Sequence, residues 1–235
     1  MNINDDQISY YEKQHSYMDA VDSNYVNLLV NHIIEHCQLK KSDRILEIGC
    51  GSGRFSIPLL KKGFSLTCID PSQNLLSKFK AHATKEMNAE ILNISISEIP
   101  KAYKGAFDKA IGFYILHHLS NVADDLIQLR QYLKGQGQIA FIEPNPYNLM
   151  FYVQILVTKD LQWKYEKGML KMRKSFLEKT LSSHGYEKIE FRNFGLLPPF
   201  AMNTRFGFTI ENFTKNLWVP LRPYQFISAQ KKHYA

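Results

Sequence analysis

The sequence predicts an α/β fold in which helices cover both faces of a parallel sheet. Short apolar runs alternate with amphipathic helical segments from residue 25 to residue 143, and this alternation is typical of parallel sheets. One apolar run, 44–49, leads into three glycines at alternate positions, Gly49, Gly51 and Gly53, and a helical pattern follows at once. The length of 235 residues, 45% of them hydrophobic, suits one domain, 1–235.

The first elements follow from apolar periodicity and from turn residues. A helix over 25–38 has one apolar face, made of Val26, Leu29, Val30, Ile33, Ile34 and Cys37. After the first strand and its glycines, a helix runs to about Lys62, and Gly63 ends it. Residues 65–70 form the second strand, and Ser72 is the predicted N-cap of the next helix.

The second half continues the alternation. The third and fourth strands are predicted at about 89–94 and at 107–113. The next helix has the most regular apolar face: Leu119, Val122, Leu126, Leu129 and Leu133. Gly135 and Gly137 turn the chain into a fifth strand, 138–143. The remaining elements are a helix at about 173–184, a strand at about 187–194 and a last strand at 224–231.

Two long segments interrupt this rhythm. Residues 144–172 follow the fifth strand and residues 195–223 follow the sixth, and both are predicted to be irregular. Loops at the carboxyl ends of parallel strands form the ligand crevice, so we expect these to be substrate-side insertions. Residues 1–24 form an N-terminal arm, which is either frayed or a lid that orders over a ligand.

Composition limits the partners and the compartment. A net charge of +7 is compatible with nucleic acid, an anionic membrane surface or an acidic substrate, and also with solubility alone. Three cysteines without a CxxC pair indicate a reducing, cytoplasmic setting, with no disulfide and no metal site. The longest apolar run, 149–157, is shorter than the roughly 20 residues of a membrane span. The sequence leaves open whether the protein contacts a membrane surface and whether it is a monomer or a homodimer.

The glycine turn distinguishes between three kinds of nucleotide site. A P-loop needs Lys and Ser or Thr after its last glycine, but Arg54 and Phe55 follow Gly53, which excludes it. The dinucleotide fingerprint has glycines at positions 1, 3 and 6, whereas Gly49, Gly51 and Gly53 occupy positions 1, 3 and 5. This spacing disfavours a nicotinamide dinucleotide.

The pattern Glu47-x-Gly49-x-Gly51-x-Gly53, with Asp70 ending the next strand, resembles motif I of the class I S-adenosylmethionine-dependent methyltransferases. Residues 107–119 are similar to the strand-4 motif of small-molecule methyltransferases of the ubiquinone and menaquinone type. Residues 133–137 resemble the family's turn before strand 5. The resemblance implies a Rossmann-like, seven-stranded, mostly parallel sheet whose last strand is antiparallel and lies between strands 5 and 6.

The resemblance also implies the cofactor S-adenosyl-L-methionine, with S-adenosyl-L-homocysteine as product. In the family's second motif, which residues 69–72 resemble, the acidic side chain accepts hydrogen bonds from both ribose hydroxyls. Asn93 or Ser95 falls where many members read the adenine edge with Asp. The residues expected to bind the cofactor are Glu47, Gly49, Cys50, Gly51, Gly53, Asp70, Pro71, Asn93, Ile94 and Phe113.

The expected reaction is methyl transfer to a small, apolar or aromatic acceptor. A general base is needed only when the acceptor carries a proton at neutral pH, and His118, or else His117, is the candidate. The alternative is that one histidine packs at the helix start and the other is solvated. Four residues are expected to line the substrate pocket: Tyr11, Tyr114, Asn145 and Tyr152.

Two rival functions remain. The basic balance favours an RNA methyltransferase, although the chain shows no separate RNA-binding module, so a nucleic-acid partner is not expected. The other rival is a cofactor-binding protein of the same fold without turnover.

Overall fold

The computed structural model describes Tyr10 and residues 22–157, 162–197, 199–214 and 222–233. Within them, one sheet of seven strands has the order β3-β2-β1-β4-β5-β7-β6. The strands are β1 (Arg44–Ile48), β2 (Ser65–Ile69), β3 (Ala89–Leu92), β4 (Phe107–Phe113), β5 (Leu133–Pro144), β6 (Tyr186–Phe194) and β7 (Tyr224–Lys231). This sheet confirms the predicted fold class.

The strand directions place the crevice. From β3 to β5 all neighbours are parallel, and Ile45 of β1 pairs with Leu66 of β2 and Lys109 of β4. β7 is antiparallel to both β5 and β6, as expected of the last strand. The strand order reverses between β1 and β4, and in sheets of this type ligands bind at the carboxyl ends of the strands beside that point.

Helices bury apolar residues on both faces of the sheet. One face is covered by α1 (Asn24–His36), α2 (Ser56–Lys61) and α3 (Gln73–His82), and the other by α4 (Val122–Tyr132) and, later in the chain, Lys174–Ser183. Fully buried phenylalanines lie in the core on either side: Phe79, Phe107, Phe141 and Phe226. Ser72 caps α3 as predicted, because its hydroxyl accepts from the Leu75 N–H at 3.3 Å.

β5 begins five residues earlier than predicted. Leu133 already pairs with Phe107, whereas Gln138 pairs with Lys109, so residues 134–137 form a bulge within the strand. A Cβ at Gly137 would lie 3.1 Å from the Phe107 carbonyl oxygen, which explains the glycine. The glycines therefore mark a bulge rather than the turn that precedes the strand.

The two insertions contain helices, so the prediction of irregular segments is wrong. The first holds α5 (Leu149–Val157), α6 (Trp163–Glu166) and a 3₁₀ turn, Lys167–Lys171; the second holds α8 (Pro199–Met202) and α9 (Arg205–Thr214). The helix Lys174–Ser183 between them is α7. These helices have between 4 and 10 residues, so apolar periodicity alone does not separate them from loops.

Most of the predicted arm lies outside the described residues. Tyr10 is described and buried, and its ring stacks on that of Tyr165 in α6, with centroids 4.0 Å apart. Among the described helices, none has both the length and the apolar character needed to cross a membrane.

Candidate active site

The glycine turn after β1 presents bare backbone to the crevice. Gly49, Gly51 and Gly53 all have positive φ, between 51° and 82°, a region that favours glycine. A Cβ at Gly49 would lie 2.5 Å from the Ile115 side chain, so this glycine permits close packing against the end of β4. Among the described residues, a Cβ at Gly51 would meet only Leu75, at an ordinary contact distance of 3.7 Å, so the described side chains do not crowd this glycine.

Asp70 completes this cradle from the end of β2. Its Oδ2 accepts from the Gly51 N–H and its Oδ1 from the Ser72 N–H, both at 2.9 Å. Burial raises the pKa of Asp70 to about 6, although these two N–H groups act to lower it. Each oxygen keeps a second lone pair, so the carboxylate can accept two hydroxyl donors of a vicinal diol.

The other residues predicted on the β1 side are buried. Glu47 and Cys50 are 2% and 6% exposed, and the Cys68 thiol donates to Glu47 Oε2 at 3.7 Å. Burial raises the pKa of Glu47 to about 7 and raises the pKa values of both thiols. Cys37, Cys50 and Cys68 are all free, in agreement with the expected absence of disulfides.

Asn93, rather than Ser95, reaches the Asp70–Pro71 segment. Its Nδ2 donates to the carbonyl oxygens of Asp70 at 3.1 Å and Pro71 at 2.9 Å. The Ser95 hydroxyl instead donates to Glu98 in a capping box. Ile94 between them is half-buried. Of the two alternatives, the structure therefore places Asn93 beside the acidic cradle.

β4 ends in an aromatic pair. Phe113 is buried and stacks on Phe55, with centroids 4.3 Å apart. Tyr114 has φ 55°, which is uncommon for a residue with a side chain and occurs at functional sites. Its hydroxyl lies 2.6 Å from that of Tyr25 in α1.

We call Tyr25, Tyr114 and Tyr224 the tyrosine cluster. The rings of Tyr25 and Tyr224 are 5.7 Å apart, and the Arg54 guanidinium lies 5.3 Å from the centre of the Tyr25 ring. The backbone N–H of Tyr25 donates to Asn203 Oδ1, and the Tyr224 hydroxyl donates to the Leu197 carbonyl. The cluster thus joins the end of β4 to the second insertion.

The two histidines form a 3₁₀ turn, Leu116–His118, that a buried carboxylate holds in place. Glu143, at the end of β5, accepts at Oε1 from the N–H groups of Ile115 and Leu116, at 2.9 and 2.8 Å. Its Oε2 lies 2.5 Å from His117 Nδ1. On the other side of the ring, His117 Nε2 lies 3.3 Å from Glu166 Oε2. Glu143, His117 and Glu166 are all less than 5% exposed.

The electrostatics of the two rings differ. Burial acts to lower the pKa of His117, but Glu143 and Glu166 outweigh it and raise this pKa to about 10. Burial lowers the pKa of His118 to about 3, and the charge on His117 adds to this effect. At neutral pH the ring of His117 is therefore charged, whereas the ring of His118 is a neutral imidazole.

Asn145 and Tyr152, two further residues predicted to line the substrate pocket, are hydrogen-bonded to backbone groups. Asn145 is fully buried; its Nδ2 donates to the Arg222 carbonyl and its Oδ1 accepts from the Tyr147 N–H. The Tyr152 hydroxyl donates to the Pro146 carbonyl. Asn145 thus ties the first insertion to the start of β7, which is a structural role. Tyr11 lies outside the described residues.

The site residues that were not predicted from the sequence include Glu143, Glu166, Tyr25 and Tyr224. Glu143 carried a usable signal, because it is an acid that ends a buried apolar strand at the carboxyl edge of the sheet. Glu166 sits in a lysine-rich stretch that suggested a solvated surface. Tyr25 begins an amphipathic helix, where an aromatic residue suggests only core packing.

Comparisons with known proteins agree on a family. A family model for a methyltransferase domain matches residues 23–191. A tRNA U34 carboxymethyltransferase of Psychromonas ingrahamii is 32% identical over 113 residues, 46% of this chain and 34% of that protein. A ubiquinone biosynthesis O-methyltransferase of Rickettsia typhi is 28% identical over 116 residues, 47% of this chain and 46% of that protein. The match thus spans less than half the length of either relative.

The fold has solved counterparts. A SAM-dependent methyltransferase from Archaeoglobus fulgidus superposes with a TM-score of 0.64 at 16% identity, covering 88% of this chain and 94% of that one.

Replacing Glu143 should destabilise the chain strongly. We expect Glu143→Ala to lower the free energy of unfolding by about 3–5 kcal/mol, because the charged His117 and two backbone N–H groups lose their buried acceptor. Urea denaturation measures this. Glu190→Ala, at an exposed acid on β6, is the control and should change stability by less than about 0.5 kcal/mol. A loss below about 1 kcal/mol for Glu143→Ala would contradict the role given to this carboxylate.

Proposed function

Because this chain belongs to the methyltransferase domain family and has the fold of S-adenosylmethionine-dependent methyltransferases, we propose that it methylates a small, apolar or aromatic acceptor. The observation that carries the proposal is the cradle of Gly51 and Asp70 at the carboxyl edge of the sheet. The family match and the fold confirm the class I resemblance predicted from the glycine spacing.

The cradle fits S-adenosylmethionine. Gly51 leaves the backbone beside Asp70 without a side chain, which lets a ligand approach it, and the Asp70 carboxylate has acceptors left for the two ribose hydroxyls. Pro71 and Asn93 lie next to Asp70 and would face the adenine side. When bound, this cofactor supplies a methyl group on a sulfonium, which is already activated for transfer.

The protein's contribution is mainly orientation. Holding an acceptor in line with an activated methyl can supply on the order of 7–11 kcal/mol of the barrier. Tyr114 projects from the strained end of β4, and the tyrosine cluster binds it to α1 and to the second insertion. The apolar residues exposed on α5 support an apolar acceptor, or a membrane surface that presents one: Leu149, Val153 and Leu156.

Proton removal is assigned to His118. His117 is protonated at physiological pH, which leaves His118 as the neutral ring of the two. With a pKa of about 3 the His118 ring is a weak base, so it suits an acceptor whose proton becomes acidic as the methyl group is transferred. It is half-buried, whereas His117 is enclosed between Glu143 and Glu166. In this assignment His117 is a positioning residue that fixes the turn carrying His118.

An RNA acceptor is the second candidate. The net charge of +7 favours it, and one relative is named as a tRNA-modifying enzyme. A chain that binds the cofactor without turnover is the third. A screen with methyl-labelled cofactor distinguishes these two candidates from a small-molecule methyltransferase.

Removing the charge of Asp70 should weaken cofactor binding. We expect Asp70→Asn to lower the affinity for S-adenosylhomocysteine by roughly 10- to 100-fold, because hydrogen bonds to a charged group are worth about 1.5–3 kcal/mol. Isothermal titration calorimetry gives the affinities. Glu35→Gln, on the exposed side of α1, is the matched control and should bind like the unmodified chain. Equal affinity for Asp70→Asn would remove Asp70 from the cofactor site.

Cofactor affinity should also depend on pH through Asp70. Its pKa of about 6 means that the carboxylate is ionised above pH 7 and protonated as the pH falls through 6. We expect constant affinity at pH 7–8 and a decline below pH 6 that approaches about tenfold per pH unit. Calorimetry at several pH values tests this, with Asp70→Asn as the variant that should show a flatter profile. If the affinity of Asp70→Asn depends on pH as that of the unmodified chain does, another group titrates, and Glu47, whose pKa is about 7, is the next candidate.

An acceptor screen with S-adenosylmethionine labelled in the methyl group tests the reaction. We expect the methyl label to appear in small phenols, small amines or apolar extracts. If the acceptor loses a proton during transfer, His118→Ala should turn over more slowly while its cofactor affinity is unchanged. Label in total RNA, with a steep dependence on salt, would favour the RNA alternative. Cofactor binding with no label in any fraction would support a protein without turnover.

A further inference from the structure

Three side chains with metal-ligating atoms converge at the carboxyl ends of β4 and β5. One ligand atom from each of His117, His118 and Glu166 lies within 4.8 Å of the others. The two histidines come from the 3₁₀ turn after β4, and Glu166 comes from α6 in the first insertion. Bonds of about 2.0–2.2 Å to one ion would draw such atoms somewhat closer together, a change within reach of side-chain torsions.

The surroundings of His117 match those of a metal-binding histidine. Such histidines usually donate their second ring N–H to a carboxylate, which fixes the tautomer, and here Nδ1 faces Glu143 Oε2 at 2.5 Å. Nε2 then directs its lone pair toward the Glu166 carboxylate, 3.3 Å away. Two lone pairs facing each other inside the protein require a cation between them, either a proton on the ring or a metal ion.

The ligand types favour a transition metal ion. Glu143 and Glu166 are buried carboxylates on opposite sides of the His117 ring, so an ion beside Nε2 would be bound by Glu166 directly, and Glu143 would orient the ring. Two imidazoles and one carboxylate suit Zn²⁺, Co²⁺ or Fe²⁺ rather than Mg²⁺ or Ca²⁺.

Packing holds Glu166 beside the histidines. Gly168 lies two residues after Glu166, and a Cβ at this position would collide with the His117 carbonyl oxygen. The 3₁₀ turn Lys167–Lys171 therefore rests directly on the backbone of the histidine turn, and only glycine permits this contact.

From this arrangement we infer that His117, His118 and Glu166 bind a divalent first-row transition metal ion, with Glu143 orienting His117. From the cysteine pattern no metal site is expected, and Glu166 lies 48 residues after His118, too far for a local ligand motif to show the site in the sequence. Three protein ligands leave a coordination position open, as in catalytic zinc sites. An oxygen of the acceptor is the class of ligand that would take it, a step that rests on the proposed function. With the ion bound, His118 would be a ligand and not the base, and the ion would itself favour loss of the proton from that oxygen.

Cobalt is the probe, because its visible bands report coordination. The full chain, treated with a chelator and desalted, is titrated with Co²⁺ in the absence of cofactor and acceptor. We expect one equivalent to bind with the intense bands of low-coordinate cobalt, and Zn²⁺ to abolish them. Glu166→Gln and His118→Ala should each weaken binding more than tenfold, and Glu143→Gln by roughly 10–100-fold. His82→Ala, at an exposed histidine of α3, is the control and should bind cobalt normally.

Two results would overturn the inference. The first is that the bands of low-coordinate cobalt do not appear. The second is that Glu166→Gln and His118→Ala bind cobalt as tightly as the unmodified chain, which would show that the binding is adventitious. Since a variant could fail to fold, the unmodified chain gives an independent test: the ¹⁵N signals of the His117 and His118 rings must shift when Zn²⁺ is added. Calorimetry with S-adenosylhomocysteine on the same samples separates the two hypotheses, because cofactor binding without metal binding overturns only the metal site.

Discussion

One buried carboxylate, Glu143, fixes the relative positions of the segments around the histidines. It ends β5, accepts from two backbone N–H groups after β4, and contacts the ring of His117, which faces Glu166 of the first insertion. A 3₁₀ turn of three residues has little stability of its own. The position of His118 therefore depends on long-range contacts with the core strands, and not on local helix formation.

The two sides of the crevice are built by different means. The cofactor side uses backbone and one acid: glycines remove side chains from the turn, and Asp70 is held by N–H groups of that turn and of the next helix. The side proposed for the acceptor uses side chains from distant segments, with Tyr25, Tyr114 and Tyr224 joining α1, the end of β4 and β7. Backbone geometry suits a cofactor shared by a whole family, whereas side chains from distant segments suit an acceptor that differs between members.

This division explains what could be predicted from the sequence. The glycine turn, Asp70, the Ser72 cap and the sheet were predictable, because each depends on residues close together in the chain or on strand order. The contact of His117 with Glu166 was not, because no local pattern shows that a glutamate among lysines turns inward. The start of β5 was missed since Gly135 and Gly137 have the same signature in a bulge as in a turn. The helices of the insertions were missed because they are too short for a clear period.

The place of β7 in the sheet has a consequence for how the chain folds during synthesis. β6 pairs with β7, and β7 in turn pairs with β5, so β6 has no native partner strand until residues 224–231 have left the ribosome. The five parallel strands from β3 to β5 can assemble earlier, with β5 as an open edge. The nascent chain thus carries an exposed strand edge through the synthesis of both insertions, and this is the stage at which it is most exposed to aggregation.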